Sequence, residues 1–498
     1  MTDEQAGDAG EPGPDEPGAI ADRRAKLEAL RRAGVEPFPH SFGGRTPIAD
    51  VRARHHELAE GEETDDRYRL AGRLAARRGH GKSAFLDLVD AGGRLQLHSR
   101  EDVVGIDRHE ALLHVDLGDI VGAEGIVFKT RRGELSLKVE SWELLAKSLR
   151  PPPDKFHGIE DTETRYRRRE LDLMAAEEAR GLFRRRALTI TATREWLDAE
   201  GFLEVETPVL QPLYGGALAR PFTTHHNALD RDLYLRIATE LYLKRLIVGG
   251  LDRVYELGKD FRNEGVSYKH NPEFTMLEWY EAYADYDDAA ARLERLVAFV
   301  AERVNGTTEI ERDGERIDLA PPWRRLTLRE AISERTGIDI AEQPTREALA
   351  AAMDTEPDPE EGWGKLVDGL LSREVEPTLR EPTFIMDYPV EMSPFAKRHR
   401  SEEGLVERWE AFCGGFEIAN AFSELNDPDE QRRRFEAQAE ELRRGDTEAQ
   451  PFDESYLQAL EQGMPPTGGV GLGIDRLVML LTGARTLREV ILFPAMRT

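Results

Sequence analysis

One stretch, residues 252–286, constrains the fold more than any other, with the sequence DRVYELGKDFRNEGVSYKHNPEFTMLEWYEAYADY. Its pattern predicts a strand that ends at Phe261, a charged loop around Gly265 and a second strand that begins at Glu273. Strand alternation then places four side chains on one face of the second strand, namely Phe274, Met276, Glu278 and Tyr280. A carboxylate on a face of this kind is rarely buried unless it is paired.

Arg262 and Glu264 lie at the edge of the predicted loop, close enough in sequence to share a site with that face. A guanidinium group is permanently charged and forked, so it suits a phosphate. A neighbouring aromatic ring suits a base, and a deeper carboxylate suits a cationic group. Spacing alone leaves a second interpretation open, in which the segment is a plain hairpin with a solvated charged loop.

The segments FRNEG and HNPEFTMLEWYEAYADY resemble the second signature motif of class II aminoacyl-tRNA synthetases, in the form carried by bacterial lysyl-tRNA synthetases. GFLEVETPVL, after a predicted helix over 171–199, resembles the first class II motif, which makes the dimer interface. GMPPTGGVGLGIDRLVMLLTG resembles the third motif, whose arginine, here Arg476, contacts ATP phosphate. Without the resemblance, the helix over 171–199 and the strand in GFLEVETPVL would be interpreted as an ordinary packed helix and strand.

A chain of 498 residues is too long for one ordinary core, which predicts two or three domains. We expect no membrane span, because no apolar run is long enough, and no signal peptide. Residues 1–18 are acidic and rich in Pro and Gly, which predicts a disordered tail. Cys413 is the only cysteine, so a disulfide framework is excluded. These features predict a cytoplasmic protein.

The formal net charge of −28 argues against general affinity for nucleic acid. A tRNA partner therefore requires local basic patches, each of which is equally consistent with a solvated surface.

Residues 67–150 are predicted to form a small β-barrel of the OB-fold type, because short β-type runs alternate with glycine turns. The predicted strands are Tyr68–Leu74, Ala84–Val89, Leu95–His98, Ile120–Lys129 and Leu135–Leu145. The segment AGRLAARRGHGKSAFLDLVD resembles the anticodon-binding barrel of the same family. That resemblance assigns anticodon contacts to Arg78, Phe85, Gln96 and Glu134. Without it, Phe85 is at least as readily a barrel-core residue.

The remaining chain is predicted as an N-terminal helical segment (19–66), a proline-containing linker (151–170) and a catalytic domain (171–498). Residues 287–355 are predicted to be helical. The resulting fold class is α+β, with an OB-fold barrel followed by the class II catalytic domain, an antiparallel sheet flanked by helices. The helix that includes Glu240 is predicted to begin at a cap-like Thr239.

The segment RWEAFCGGFEIANAFSELNDP is predicted to form two strands broken at Gly414 and Gly415, with Glu410 before the break. Alternation assigns one face of the second strand to Glu417, Ala419, Ala421 and Ser423. The opposite face then carries Ile418, Asn420, Phe422 and Glu424.

Two glycine-containing segments resemble phosphate-binding motifs but lack required positions. Gly81-Lys82-Ser83 ends like a P-loop, yet the first glycine of that motif falls on Ala76. The glycines near Arg476 do not match G-x-G-x-x-G. Neither a P-loop nor a dinucleotide fold is therefore expected.

The resemblance implies that the chain activates L-lysine with ATP and transfers it to tRNA(Lys), with Mg²⁺ as the metal, as a homodimer. Arg262 and Arg476 are the implied catalytic residues. The implied ATP site comprises Arg262, Glu264, His270, Phe274, Glu410, Glu417 and Arg476. The implied lysine site comprises Gly216, Glu240, Glu278, Tyr280, Asn420, Phe422 and Glu424. Glu410 and Glu417, as hard oxygen ligands, are the implied metal ligands.

The chain departs from the family pattern at Ala419 and Ala421, where glycines are expected, and alternation predicts that both alanines pack away from Asn420. Two alternatives stay open at this stage. One is a relative that lysylates a protein, and the other is an RNA-binding module with an inactive enzyme domain. The nearest relative with a front barrel, an aspartyl enzyme, is disfavoured by the charge of the pocket. An aspartyl enzyme would need a cation where Glu278 stands.

Overall fold

A computed structural model describes residues 17–79, 81–153, 159–356, 362–444 and 449–497. They form two compact units, one that ends at Glu177 and one that begins at Glu178. The predicted boundaries at 150 and 170 stay predictions. Most of the predicted acidic tail lies outside the described residues, and the first helix begins at Pro17.

The described residues of the first unit form five strands and six helices. Its helices are α1 (Pro17–Arg32), α2 (Ile48–Arg54), α3 (Glu101–Val104), α4 (Ile106–Leu113), α5 (Thr162–Arg167) and α6 (Arg169–Ala175). Its strands are β1 (Glu63–Arg78), β2 (Ser83–Asp90), β3 (Gly93–Arg100), β4 (Ile120–Lys129) and β5 (Leu135–Ala146). The strands close into a barrel in the order β1-β2-β3-β5-β4. All five predicted strands are confirmed, with longer ends in most cases.

The helical predictions on either side of the barrel needed correction. Within the segment 19–66, only α1 and α2 are helical. Gly34, which follows the end of α1, has a left-handed backbone at φ +71°, as is common at the ends of helices. The stretch 151–170, predicted as a linker, contains α5, capped by the Asp161 carboxylate. The predicted helix over 171–199 is interrupted at Ala176, which has an extended backbone.

The second unit contains the remaining elements. Its helices are α7 (Glu177–Ala199), α8 (Glu240–Val248), α9 (Tyr286–Asn305), α10 (Leu328–Thr336), α11 (Arg346–Ala352), α12 (Trp363–Leu370), α13 (Pro428–Arg444), α14 (Glu454–Leu460), α15 (Ile474–Thr482) and α16 (Leu487–Val490). Its strands are β6 (Leu203–Glu204), β7 (Leu210–Gln211), β8 (Thr223–His226), β9 (Arg231–Leu235), β10 (Arg253–Phe261), β11 (Glu273–Ala282), β12 (Glu309–Arg312), β13 (Glu315–Asp318), β14 (Arg324–Thr327), β15 (Thr383–Pro389), β16 (Leu405–Cys413), β17 (Phe416–Ser423) and β18 (Thr467–Gly473).

An eight-stranded sheet forms the centre of this unit, in the order β14-β15-β16-β17-β18-β11-β10-β6. Only its two outermost pairs, β14–β15 and β10–β6, are parallel. One face packs on α9 and α15 and buries Trp279, Trp409 and Leu477. The other face is therefore left to carry the polar residues of the site.

The prediction that residues 287–355 are helical is wrong over 309–327, where β12, β13 and β14 lie. The turn between β12 and β13 is Asp313-Gly314, and both residues have positive φ, +54° and +83°. Asp-Gly between two short alternating runs is a strong hairpin signal. Charged residues on both strands concealed it.

Candidate active site

A cavity of about 1190 Å³ lies on the polar face of the central sheet. It is bordered by β11, β16, β17, β18 and the first turns of α8 and α15. All fourteen site residues predicted in this unit line it: Gly216, Glu240, Arg262, Glu264, His270, Phe274, Glu278, Tyr280, Glu410, Glu417, Asn420, Phe422, Glu424 and Arg476. Segments far apart in sequence therefore converge on one cavity.

Glu278 is buried at one end of this cavity, with 5% of its surface exposed. The Tyr280 hydroxyl donates to Oε2 of Glu278 at 3.1 Å, and the Thr239 backbone N–H donates to Oε1 at 3.1 Å. Burial, followed by repulsion from Asp260 and Glu240, raises the pKa of Glu278 to about 8. A cationic ligand here would favour the ionised carboxylate.

Thr239 does not cap α8 as predicted. Its backbone is helical, at φ −96° and ψ −11°, and its side chain makes no capping hydrogen bond. A capping residue normally has an extended backbone that turns its oxygen toward the next amides. The Thr239 N–H instead orients Glu278.

Glu424 is buried in the same cavity, close to Tyr280, with 1% of its surface exposed. Its Oε1 has no hydrogen-bond donor among the residues that the structure describes. Burial raises the pKa of Glu424 to about 8, with Lys244 opposing the shift and Glu240 adding to it. A Cβ on Gly469 of β18 would overlap this Oε1 and the Tyr280 ring, so the position requires glycine.

Lys244, which the sequence analysis missed, lies between Glu240 and Glu424. Its Nζ is 2.5 Å from Oε1 of Glu240 and also forms an ion pair with Oε2 of Glu424. Its side chain is fully buried. Burial alone would lower the pKa of Lys244, but the two carboxylates outweigh burial and raise it.

Gly216 is held against α8 by Gln450, a second residue that the sequence did not indicate. The Gly216 N–H donates to Oε1 of Gln450 at 3.2 Å, and the Gln450 amide donates to the Ala217 carbonyl. The positive φ of Gly216, +89°, is strained for other residues. A Cβ there would also lie 2.9 Å from Cβ of Glu240.

A buried ion cluster supports β10 behind Glu278. Nε of Arg236 lies 3.1 Å from Asp260, and its Nη1 pairs with Glu256. Burial raises the pKa of Asp260 to about 6, against the attraction of Arg236 and Arg262. The Asp260 carboxylate of this cluster is a negative charge near Glu278 and helps to raise the pKa of Glu278.

Arg262 and Phe274 meet at the other end of the cavity. The guanidinium carbon of Arg262 lies 5.2 Å from the centroid of the Phe274 ring, which is cation–π distance. Glu264 is exposed at the rim. Partial burial of the ring, together with Arg476 and Lys269, lowers the pKa of His270 to about 4, so His270 is neutral at physiological pH.

Arg408 ties Glu410 to Asn420 on the neighbouring strands. Nη2 of Arg408 is 2.5 Å from Oε1 of Glu410, and Nε donates to Oδ1 of Asn420 at 3.3 Å. The Tyr388 hydroxyl donates to Oε2 of Glu410 at 2.9 Å. Burial, opposed by Arg408 and reinforced by Glu417, raises the pKa of Glu410 to about 7.

Arg476 occupies the first turn of α15 and contacts Glu417. Its Nη1 donates to the Glu417 carbonyl and to its Oε2, both at 2.8 Å. Burial alone would raise the pKa of Glu417, but Arg476 and Arg408 outweigh it and lower that pKa.

The predicted opposition of Glu417 and Asn420 across β17 is wrong, since both line the cavity. The pairing of β16 with β17 shifts between Ala411 and Phe412, so Ile418 is an extra residue without an opposite partner. Such a bulge reverses the alternation on one side of it. Ala419 and Ala421 lie in the hydrophobic core, as alternation predicted, and Ala419 also borders the cavity.

In the first unit, hydrogen bonds that span β1, β2, β3 and β5 connect three of the four predicted anticodon residues. Arg78 donates to the Asp87 carboxylate at 2.7 Å. Arg94 donates to the same carboxylate and to the Glu134 carboxylate, both at 3.1 Å. Gln96 of β3 stands opposite Asp87 of β2 in the strand register, and its Oε1 accepts a hydrogen bond from Oγ of Ser136 at 3.0 Å. The structure thus brings Arg78, Gln96 and Glu134 into one network.

Phe85 is stacked on His98, with ring centroids 4.4 Å apart and planes 11° apart. Neither ring is fully buried, so Phe85 is not a plain core residue. His98 is a further residue that the sequence analysis did not single out.

Comparison with known proteins extends these observations. Residues 161–497 match the family model described as tRNA synthetases class II (D, K and N). Residues 68–145 match the OB-fold nucleic acid binding domain. A lysine--tRNA ligase of Moorella thermoacetica is 54% identical over 483 residues, which is 96% of this chain and 97% of the relative. A lysine--tRNA ligase of Synechococcus sp. is 53% identical, over 95% of this chain and 98% of the relative. The chain belongs to the class II lysine--tRNA ligase family.

This membership confirms the predicted fold class, an OB-fold barrel followed by a class II synthetase domain. A lysine--tRNA ligase of Clostridium perfringens, 51% identical over 95% of each chain, supports the same family. Among the described residues, the structure contains no helix with the length and apolar character needed to cross a membrane.

Proposed function

We propose that this chain is a lysine--tRNA ligase. A carboxylate oxygen of L-lysine attacks the α-phosphorus of ATP, the bond to the β-phosphate breaks, and lysyl-adenylate and pyrophosphate form. A hydroxyl of the 3′-terminal adenosine of tRNA(Lys) then attacks the lysyl carbonyl carbon, and AMP leaves. Neither step needs a protein nucleophile, so catalysis consists of positioning and charge stabilisation.

The buried acidic end of the cavity is the observation that carries this proposal. Glu278 and Glu424 are almost completely buried, and Oε1 of Glu424 has no hydrogen-bond donor among the described residues. Buried carboxylates are costly unless a cation or a proton accompanies them. The side-chain ammonium of lysine supplies that cation, with Glu278, Tyr280 and Glu424 as its partners and the Phe422 ring beside it.

The remaining groups of lysine have partners at the adjacent wall. We assign its α-ammonium to Glu240 and the Gly216 carbonyl, and its carboxylate to Asn420 and Arg262. Gln450 holds the Gly216 loop. Arg408 orients Asn420.

We assign ATP to the other end of the cavity. Arg262 would stabilise the negative charge that develops on the α-phosphate, and Arg476 would hold the γ-phosphate. Phe274 would stack on adenine, while Glu264 and the neutral ring of His270 would contact the nucleotide.

Glu410 and Glu417 fit a Mg²⁺ site. Both are carboxylates on adjacent strands that line the cavity, and their mutual repulsion contributes to the raised pKa of Glu410. The described residues contain no cluster of three or more candidate metal ligands, so ATP phosphates and water must complete the shell. Bound Mg²⁺ would neutralise phosphate charge, while Arg408 and Tyr388 hold Glu410 in place.

The barrel is proposed to bind the anticodon of tRNA(Lys). Phe85 would stack on one base, with His98 supporting its other face, and Arg78, Gln96 and Glu134 would contact base edges.

We also propose a homodimer. The segment that resembles the first class II motif exposes Leu203, Val209 and Leu210, at 51%, 40% and 47%. A second copy would bury these side chains. The cytoplasmic location stays a prediction.

Two assays test the function. Pyrophosphate exchange with ATP, measured with each of the twenty amino acids, should proceed with lysine and not with aspartate. Charging of bulk tRNA with lysine should follow. Exchange without charging would indicate a protein-lysylating relative, and tRNA binding without exchange would indicate an inactive RNA-binding module.

A further inference from the structure

Lys244 is a buried cation next to the end of the cavity that must recognise cations. Its side chain has no exposed surface, and its Nζ pairs with both Glu240 and Glu424. The rings of Phe395 and Tyr280 lie 5.2 Å and 6.0 Å from Nζ. A charge that is screened so little by water acts strongly on its neighbours.

The two partners of Lys244 are proposed to bind different ammonium groups of the substrate. Glu240 borders the Gly216 loop, and Glu424 lies close to Tyr280, whose hydroxyl donates to Glu278. A single side chain therefore neutralises part of the charge at both ends of the lysine subsite. The Glu240–Lys244 pair has the spacing of an ordinary helix-surface pair, but here neither member is exposed.

The charges of candidate ligands show what this arrangement does. Lysine carries two ammonium groups and one carboxylate, a net charge of +1. The compound 1,5-diaminopentane carries the same two ammonium groups on the same carbon chain without the carboxylate, a net charge of +2. A subsite that already contains a fixed cation has room for fewer added positive charges.

We propose that Lys244 determines the charge specificity of the amino-acid subsite, because its fixed positive charge favours a ligand with one net positive charge over a ligand with two. This inference rests on the proposed lysine subsite. Lys244 also sets the positions of the Glu240 and Glu424 carboxylates, since it bridges them. It is a specificity and positioning residue, and it touches no reacting atom.

The test compares the dissociation constants of L-lysine and 1,5-diaminopentane by isothermal titration calorimetry with the full chain. In Lys244→Met, the ratio of the dissociation constant of the diamine to that of lysine should fall by about tenfold or more. Without the Lys244 ammonium, the subsite has one more negative charge for the ligand to neutralise. Lys244→Arg keeps the charge and should keep the ratio within about threefold.

Arg245→Met is the matched control. Arg245 is the next residue of α8, but it is partly exposed and pairs with Asp453 and Ser455. Its removal should leave the ratio unchanged. If Lys244→Met weakened both ligands by the same factor, Lys244 would have only a structural role and the inference would be wrong.

A second variant covers the case in which Lys244→Met does not fold. Lys244→Met combined with Glu424→Gln removes one charge of each sign, so the ratio should lie within about threefold of wild type although both ligands bind less well. A ratio about tenfold lower in this double variant would overturn the inference. Lysine-dependent pyrophosphate exchange by the wild-type chain tests the proposed function separately.

Discussion

The hydroxyl of Tyr280 donates to Oε2 of Glu278 at 3.1 Å, from a residue two positions along the same strand. Residues two apart on a strand share a face, so the strand itself builds this pair. The pair stands at the buried end of the cavity with Glu424 nearby.

Lysine affinity should depend on pH because of Glu278 and Glu424. The pKa of each carboxyl is raised to about 8 in the free protein. The groups that face them are Asp260, Glu240 and Lys244. Binding of an ammonium group favours the ionised carboxylate and so lowers the pKa, which releases a proton.

Affinity should therefore rise from pH 6 to pH 8, by up to about tenfold per pH unit for each proton released, and level off above pH 8. Calorimetry in two buffers of different ionisation enthalpy measures this release. A pH-independent dissociation constant between pH 6 and pH 8 would show that neither carboxyl titrates on binding.

Gly469→Ala should weaken lysine binding. A Cβ at this position would overlap Oε1 of Glu424 and the Tyr280 ring, and such overpacking typically costs about 1–3 kcal/mol. The KM for lysine in pyrophosphate exchange should rise about tenfold, with a smaller change in the KM for ATP. Gly471→Ala on the same strand is the matched control, because its Cβ would have its nearest neighbours at 3.9 Å. Equal effects of the two substitutions would contradict the close approach at Gly469.

Glu410→Gln should increase the requirement for Mg²⁺. Loss of a carboxylate ligand should raise the Mg²⁺ concentration for half-maximal exchange by about tenfold or more. Glu273→Gln is the control, since the Glu273 side chain is exposed on β11 and its carboxylate lies 3.6 Å from Nζ of Lys259. An unchanged Mg²⁺ titration in Glu410→Gln would remove Glu410 from the metal site.

Phe85→Ala should impair tRNA charging and leave lysine activation intact. Stacking of a base on an aromatic ring is worth about 1–3 kcal/mol, so the KM for tRNA should rise about tenfold. Phe42→Ala provides the comparison, because Phe42 packs against Arg69 at 4.1 Å, away from the Arg78–Glu134 network. A normal KM for tRNA in Phe85→Ala would exclude Phe85 from recognition.

Much of the site could be predicted because it lies on strands with period-two alternation. The alternation of β11 placed Phe274, Glu278 and Tyr280 on one face, and the cavity contains all three. The family resemblance then supplied the residues of separate segments. Thus the sequence identified the residues that line the cavity better than the residues that support them.

The residues that were missed depend on contacts between distant segments. Lys244 follows Glu240 by four positions and has the spacing of a surface pair, and nothing local indicates that Glu424 lies on its other side. Gln450 likewise contacts a segment far away in sequence, since its Oε1 accepts from the Gly216 N–H. The bulge at Ile418 adds one residue to β17, which no alternation pattern reveals.

The hairpin of β12 and β13 is a different case, because its Asp313-Gly314 turn was visible in the sequence. Charged residues dominate both strands and suggested an exposed helix. Their alternating Ile310 and Ile317 are buried, at 6% and 1% exposure, so the strand pattern was present but short.

The most direct test of the account is the affinity of Glu278→Gln for L-lysine and for norleucine, which has the same carbon chain length but no side-chain ammonium. Loss of one partner of a buried charge pair costs roughly 3–5 kcal/mol, so lysine should bind at least about 100-fold more weakly. Norleucine should bind as it does to wild type, and Glu273→Gln should match wild type with both ligands. Unchanged preference for lysine over norleucine in Glu278→Gln would contradict the claim that this carboxylate recognises the side-chain ammonium.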